Sequence, residues 1–148
     1  MSEAEKSAGL DETPRITIEE FEQLVTSTMP LMAVWPMQLL SLGWGTCRMR
    51  LSFHDSQVRP GGTLSGPTMM TLADTALYAI VLSRIGLQPL AVTSDLSIRF
   101  LRKPTQRALL ADAEMLRLGK KLAVGEVRIY SEGEAKLVAH ATGTYEIP

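Results

Sequence analysis

The sequence predicts an α+β domain in which an antiparallel sheet is wrapped around one long central helix. The run from Pro67 to Leu82 has helix-like character and contains no charged residue except Asp74. Four strand-like segments follow it and are joined mostly by tight turns. Strands joined by hairpins pair in antiparallel fashion, and a helix that is apolar on most of its faces is normally buried. A sheet that covers this helix satisfies both patterns in one domain.

Three segments precede the central helix. Thr17 to Met29 is predicted as a helix, because its first residue is a suitable N-cap and apolar residues recur at helical spacing. Leu31 to Leu42 is apolar but contains one proline and follows another, so we expect a loop or a short helix lining a pocket. Trp44 to His54 alternates in the manner of a strand.

The central helix is expected from about Pro67 to Ser83. A glycine-rich loop, Asp55 to Gly66, precedes it, and Gly86 and Pro89 close it. The four predicted strands that follow are Leu90–Leu101, Leu109–Leu118, Leu122–Tyr130 and Lys136–Tyr145.

The first of these strands is expected to have an apolar and a polar face, because side chains alternate along a strand. The apolar face would carry Val92, Leu96, Ile98 and Phe100. The polar face would carry Thr93, Asp95, Ser97 and Arg99.

Asp74 is the residue whose presence most needs an explanation. An unpaired charge inside a buried helix is costly, and carboxylates in unusual surroundings are candidates for acid–base or nucleophilic chemistry. The alternative is a structural aspartate that accepts a hydrogen bond from a hydroxyl one turn away on the same helix. Thr71 and Tyr78 are both close enough along the helix for that role.

Composition limits the class of protein. The chain has 148 residues, 45% of them hydrophobic and 21% charged, which suits one domain over residues 15–148. Residues 1–14 are rich in Glu, Ser and Ala and are predicted to be a disordered leader. A net charge of -1 gives no support for nucleic-acid binding. The acidic N-terminus and the lack of a long unbroken apolar run predict no signal peptide, no membrane role and a cytoplasmic location.

Cysteine and histidine are too sparse for a disulfide framework or a metal site. Cys47 is the one cysteine, and its strand-like surroundings predict a small apolar filler. His54 and His140 are far apart in sequence, and neither has a second ligand at metal spacing. We therefore expect no bound metal.

Three segments carry a resemblance to a known family. The first is Gly66 with the helix residues Thr71 to Leu77, the second is the strand region Val92 to Pro104, and the third is the ending Leu137 to Tyr145. Together they resemble the hotdog fold and, within it, the thioesterase superfamily of the phenylacetate-degradation (PaaI-like) type. The resemblance covers roughly Trp44 to Tyr145.

The resemblance implies an acyl-CoA thioesterase. In that family a carboxylate on the central helix drives hydrolysis, either by activating water or by attacking the thioester carbonyl, and Asp74 stands at the equivalent position. The family's oxyanion contact is a backbone N–H at the start of the helix, which Gly66 matches. Such an N–H lacks a partner within the helix and can stabilise an oxyanion. Thr93 falls where the family often has a Ser or Thr that orients the carboxylate or its water.

The resemblance also implies the substrate contacts and the assembly. No separate cofactor is expected, because coenzyme A arrives as part of the substrate. The carboxylate and the glycine would come from opposite subunits of a homodimer whose sheets join edge to edge, and homotetramers by sheet stacking are common in the family. In the family, basic residues near the end of the strand that follows the central helix and in the hairpin after Leu118 meet the CoA phosphates, and Ser65 at the helix start can donate a hydrogen bond. The predicted substrate-binding residues are therefore Ser65, Arg59, Arg99, Arg102, Lys103 and Lys120.

The chain departs from the family pattern at two places. The usual His-Gly-Gly before the helix is Ser65-Gly66-Pro67, and an asparagine that some members carry is replaced by Arg59. These departures keep a non-catalytic hotdog protein that binds acyl-CoA or a partner as the alternative. A hydratase or dehydratase is disfavoured, because no histidine lies at the helix start. The sequence specifies neither the acyl group nor whether its carrier is CoA or acyl carrier protein.

Overall fold

A computed structural model describes residues 11–148, and within them two α-helices and six β-strands. In chain order these are α1 (Ile18–Thr28), β1 (Met37–Leu42), β2 (Thr46–Leu51), α2 (Gly66–Ile85), β3 (Val92–Phe100), β4 (Leu109–Leu118), β5 (Leu122–Ser131) and β6 (Leu137–Glu146). Short 3₁₀ helices occupy Pro30–Ala33 and Asp55–Gln57. Most of the predicted leader, residues 1–10, lies outside the described residues, and residues 11–14 have no regular secondary structure.

The six strands form one antiparallel sheet in the order β1-β2-β4-β5-β6-β3. One face of this sheet packs on α2, which contacts every strand. The predicted α+β arrangement, a hotdog fold with an antiparallel sheet around one long helix, is therefore confirmed. By length and mean hydropathy α2 could cross a membrane, but most of it is buried under the sheet as the core of the domain.

The prediction for Leu31–Leu42 was wrong in its second half, which forms β1 and gives the sheet six strands rather than five. Pro36 precedes the first residue of β1, so its missing N–H removes no ladder hydrogen bond. Met37 and Leu39 are buried, whereas Gln38 and Leu40 are exposed. This alternation is typical of a strand, but it is too short to be recognised in the sequence.

Helix α2 lies close to the sheet because two paired glycines make room for it. Gly125 on β5 pairs with Gly143 on β6. A Cβ atom at these positions would lie 2.8 Å and 2.5 Å from the side chain of Leu77. Any larger residue there would push α2 away from the sheet and disturb the groups that the helix carries.

The predicted faces of β3 were wrong for its first two residues. The register of β3 on β6 shifts between Thr93 and Asp95, so the strand contains a bulge. Thr93 pairs with Tyr145, whose side chain is buried on the helix-facing side. The bulge therefore turns Thr93 towards α2, onto the side that Leu96 also occupies, and it places Val92 on the opposite side.

Strand β3 lies at an edge of the sheet and carries an apolar surface. Beside and along it, Leu90, Val92, Phe100 and Leu101 expose between 49% and 80% of their surface. An uncovered edge with exposed apolar side chains is a template for pairing with another strand. One cavity lies at each end of this strand, the first beside Val92 and the second beside Phe100.

Candidate active site

The carboxylate of Asp74 is held by two hydroxyl groups from the sheet. The Thr93 hydroxyl donates a hydrogen bond of 2.5 Å to Oδ1 of Asp74, and the Tyr145 hydroxyl lies 2.8 Å from the same oxygen. Tyr145 also reaches the backbone carbonyl of Asp74 at 2.9 Å. Among the described residues, no hydrogen bond reaches Oδ2. Oδ1 is thus held by two hydrogen bonds, whereas Oδ2 has no hydrogen-bond partner within residues 11–148.

The hydroxyls expected to pair with Asp74 from its own helix make other bonds. Thr71 donates to the Pro67 carbonyl at 2.9 Å, and Tyr78 donates to the Pro89 carbonyl at 3.0 Å. The partners of Asp74 therefore come from β3 and β6, across the interface between helix and sheet. A carboxylate held in this way is fixed relative to the sheet as well as to the helix.

Tyr145 is the residue of this site that the sequence did not reveal. It is 3% exposed, and its ring stacks on that of Tyr78 with centroids 6.0 Å apart. Burial, together with the negative charge of Asp74, holds the pKa of Tyr145 far above its usual range. Its hydroxyl therefore stays protonated and available as a donor. Only the strand register, which pairs Tyr145 with Thr93, shows that the two hydroxyls converge.

Asp74 is half-buried and lines a cavity of about 270 Å³, here called the Asp74 pocket. The cavity lies between the end of α1, the middle of α2 and the start of β3. Its walls are mainly apolar and aromatic apart from the carboxylate and hydroxyls, which is usual for a small-molecule site. The lining residues are Thr28, Met29, Asp74, Thr75, Tyr78, Pro89, Ala91, Val92, Thr93 and Tyr145.

The first turn of α2 presents one backbone N–H that nothing in the described residues accepts, that of Gly66. Pro67 has no N–H, and the Thr68 N–H is taken by the side chain of the N-cap, Ser65, at 3.3 Å. The hydroxyls of Ser65 and Thr68 are also 2.7 Å apart. The hydroxyl of Ser65 is thus used to cap α2, and Gly66 supplies the free donor at the positive end of the helix.

A second cavity, of about 410 Å³, surrounds that donor and is here called the Gly66 pocket. It lies at the other end of β3, where the Phe100 ring covers Gly66 so closely that a Cβ on the glycine would lie 3.1 Å from it. Three cationic side chains line this cavity. The full lining is Arg59, Thr63, Leu64, Gly66, Met69, Phe100, Arg102, Lys103 and Pro104.

The predicted substrate-binding residues divide into two groups. Arg59, Arg102 and Lys103 line the Gly66 pocket, and Arg102 also donates to the Leu137 carbonyl at 2.7 Å. Arg99 and Lys120 line neither pocket. Arg99 pairs with His140 on the sheet face turned away from α2, and Lys120 lies in the β4–β5 hairpin.

Gly66 and Asp74 belong to different pockets of the same chain. They are eight positions apart on α2, which is about 12 Å along the helix axis. The structure therefore does not bring the free N–H and the carboxylate together within one subunit. Within residues 11–148 no group of three or more His, Cys, Asp or Glu side chains is arranged to hold a metal ion.

Comparison with known proteins identifies relatives of this arrangement. The family model described as the thioesterase superfamily matches residues 61–138, which include Gly66, Asp74 and Thr93. A protein of Halobacterium salinarum, itself described only as a proposed esterase, is 30% identical over 114 residues, covering 70% of this chain and 74% of its own.

Two solved structures are similar to this chain over most of its length. A proposed thioesterase from Silicibacter sp. TM1040 is 39% identical, with a TM-score of 0.82 over 91% of this chain and 94% of that one. A mutant of the phenylacetic acid degradation protein PaaI from Thermus thermophilus is 26% identical, with a TM-score of 0.71 over 80% of this chain and 99% of that one.

Proposed function

This chain belongs to the thioesterase superfamily, and from that premise we propose that it hydrolyses acyl-CoA thioesters with Asp74 as base or nucleophile. The observation that carries the proposal is the state of the Asp74 carboxylate. Its Oδ1 is anchored by two hydroxyl donors, whereas its Oδ2 has no partner among the described residues. The side chain lines a cavity of about 270 Å³, so a substrate or water can reach the free oxygen.

The second catalytic group in this proposal is the Gly66 N–H of a partner subunit. Two copies of β3 can pair in antiparallel fashion through their uncovered edges, because β3 ends the sheet. If that pairing is centred near Leu96, Val92 of one copy lies opposite Phe100 of the other. The Asp74 pocket reaches Val92 and the Gly66 pocket reaches Phe100, so the pairing joins the two pockets of different subunits. The smallest active unit is then a homodimer.

In the joined site, the thioester carbonyl would lie between the two groups. Asp74 removes a proton from water, the water oxygen attacks the carbonyl carbon, and the carbonyl oxygen becomes an oxyanion that accepts from the Gly66 N–H. Collapse of this intermediate breaks the C–S bond, and the proton on Asp74 passes to the departing thiolate. The products are a carboxylic acid and free CoA. In the nucleophilic variant Asp74 attacks the carbonyl carbon directly, and the C–S bond breaks to give an acyl–Asp74 anhydride and CoA thiolate. Water then hydrolyses the anhydride, which releases the carboxylic acid and regenerates Asp74, and a proton from that water protonates the thiolate.

The cationic side chains of the Gly66 pocket suit the phosphates of CoA. Arginine can bind phosphate through two parallel hydrogen bonds, and lysine adds a compact charge. Arg59, Arg102 and Lys103 all lie within this pocket, next to the helix start that would bind the oxyanion. We therefore place the CoA moiety on the subunit that supplies Gly66 and the acyl group in the Asp74 pocket.

The test is turnover of a panel of acyl-CoA esters by the wild type and by Asp74→Ala. We expect free CoA to be released from at least one substrate, with kcat/KM about 10³-fold lower in the variant, the usual size of an acid–base contribution. Glu114→Gln, a carboxylate on the exposed outer face of β4, is the matched control and should retain full activity. No hydrolysis of any substrate, or equal hydrolysis by Asp74→Ala, would contradict the proposal.

The alternative function is acyl-CoA binding without hydrolysis. It is favoured by the use of Ser65 as a helix cap, because no side chain there replaces the imidazole that the family usually has. Isothermal titration with a non-hydrolysable thioether analogue of acyl-CoA distinguishes the two. Binding of the analogue together with intact acyl-CoA after long incubation would support the binding protein and exclude the enzyme.

A further inference from the structure

Tyr145 is a residue of the Asp74 pocket that contacts the carboxylate but takes part in no step of the proposed reaction. It lies at the far end of β6, 71 positions along the chain from Asp74, yet its hydroxyl is 2.8 Å from Oδ1 and 2.9 Å from the backbone carbonyl of Asp74. No second carboxylate competes for it among the residues that line the pocket.

We propose that Tyr145 is the positioning residue of the active site, which fixes Asp74 so that Oδ2 alone is offered to the substrate or its water. This inference rests on the proposed function. The Tyr145 hydroxyl contacts both the carboxylate and the backbone carbonyl of Asp74. It therefore restricts rotation of the Asp74 side chain relative to the backbone of α2. Thr93 adds a second donor to the same oxygen. Two donors on Oδ1 leave Oδ2 as the oxygen that has no hydrogen-bond partner among the described residues.

The surroundings of Tyr145 make it rigid enough for this role. Its ring is 3% exposed and stacks on Tyr78, whose ring lies 5.9 Å from that of Phe21 on α1. These three rings form a continuous row from α1 to the carboxylate. A hydroxyl carried by a packed aromatic ring loses little conformational freedom when it makes its hydrogen bond, so it orients its acceptor effectively.

The Tyr145 hydroxyl remains available as a donor across the range in which the enzyme would be assayed. Burial raises the pKa of both phenols that line the pocket, Tyr78 and Tyr145, so both hydroxyls stay protonated.

The test is Tyr145→Phe, which keeps the ring and its stacking and removes only the hydroxyl. We expect kcat to fall about ten-fold, the value of one hydrogen bond to a charged group, while KM stays within about two-fold. A fall in kcat without a change in KM is the result expected when a catalytic group loses its orientation while the binding cavity stays intact. Tyr130→Phe, which lies outside the pocket, is the matched control and should leave both kcat and KM unchanged.

A second measurement covers the case in which Tyr145→Phe does not fold. The chain has three tyrosines, so Tyr78→Phe combined with Tyr130→Phe leaves Tyr145 as the single one. Fluorotyrosine incorporated into that background alters the donor strength of this hydroxyl alone, so kcat should change by more than about two-fold relative to the same background with ordinary tyrosine, while KM stays within about two-fold. If kcat is unchanged in either experiment while the wild type remains active and dependent on Asp74, the positioning role is overturned. If the wild type has no thioesterase activity at all, the proposed function itself is wrong. This outcome is distinguishable from an active wild type in which Tyr145 has no positioning role.

Discussion

In the proposed function, the two pockets at the ends of β3 carry opposite halves of one reaction. The Asp74 pocket has a carboxylate and hydroxyl donors, and no lysine or arginine is among its described lining residues. The Gly66 pocket has two arginines, a lysine and a free backbone N–H, and it has no carboxylate among its described lining residues. In the proposed reaction, one pocket holds the group that attacks the carbonyl, and the other holds the groups that stabilise negative charge.

Their positions on α2 explain the difference. In the middle of a helix every backbone N–H is bonded to the preceding turn, so no donor for an oxyanion is available beside Asp74. At the N-terminus the first N–H groups are unpaired and lie at the positive end of the helix dipole, which suits an oxyanion and phosphates. One helix therefore cannot place both functions at the same point. In the proposed dimer two copies related by symmetry would do so, because the N-terminus of α2 from one copy would lie beside Asp74 of the other.

The Gly66 pocket is tested most strongly by removing its N–H. Gly66→Pro does so at the first helical position, where proline is well tolerated, and Ser65 already has the extended backbone that proline requires before it. We expect kcat to fall about 10²-fold, the usual effect of removing one oxyanion donor. Steady-state kinetics with the best acyl-CoA substrate measure this loss.

Gly66→Ala is the matched control for this change. It adds a Cβ near the Phe100 ring, as proline would, but it keeps the N–H. Phe100 is half exposed and can move, so we expect less than a ten-fold loss of kcat. Equal losses in the two variants would show that crowding at Phe100, rather than the missing donor, is responsible.

Removing the cationic side chains of the Gly66 pocket should have a smaller effect than Gly66→Pro, and it should change KM rather than kcat. In Arg59→Ala combined with Lys103→Ala we expect KM for acyl-CoA to rise about ten-fold with kcat nearly unchanged, because phosphate contacts act far from the reacting carbonyl. The same variant should act normally on the matching acyl-pantetheine thioester, which lacks the nucleotide phosphates. Arg117→Ala, an exposed arginine on β4 outside both pockets, controls for a general loss of positive charge.

Cys47 on β2 lines neither pocket, and at this residue we expect an effect on stability alone. Its side chain is buried against α2, with Sγ 3.7 Å from the Ala76 carbonyl. Burial raises the pKa of the Cys47 thiol to about 12 from an ordinary value of 9.0. The folded state therefore keeps this proton where the unfolded state loses it. Its contribution to stability is complete below pH 9.0 and is lost as pH rises towards about 12.

Urea unfolding measures that effect. The free energy of unfolding should fall between pH 7 and pH 10 by more in the wild type than in Cys47→Ala, while activity at neutral pH stays the same in both. The raised pKa of Tyr145 and Tyr78 acts in the same direction at still higher pH, and it does so in both proteins. Identical pH dependence in the two proteins would mean that the thiol is not buried as described.

Sequence patterns predicted most of the fold, because they depend on local periodicity and turns. The boundaries of β4 were predicted without error, and α1, α2, β5 and β6 differ by one or two residues from their predicted ranges. Strand β1 was missed because its alternation is brief and directly follows a segment that contains two prolines. Asp74 stood out as a lone charge in an apolar helix, and the free N–H of Gly66 follows from its place in the first turn.

The surroundings of Asp74 could not be predicted in the same way. They depend on a bulge at Ser94, which turns Thr93 towards α2, and on the register that pairs it with Tyr145. A shift of one residue in a strand reverses every face, and nothing in the local sequence marks where the shift occurs. Simple alternation therefore assigned Thr93 to the wrong face, although the resemblance indicated its role as a partner of the carboxylate.

The site built from Asp74 of one subunit and Gly66 of the other is tested most directly by mixed dimers. Asp74→Asn and Gly66→Pro, carrying different affinity tags, are co-expressed, and dimers containing one copy of each are purified through both tags. Each mixed dimer then has one site with both defects and one intact site, so it should recover about half of the wild-type activity per dimer. Mixed dimers no more active than either parent would show that the two groups act within one chain and would contradict the account.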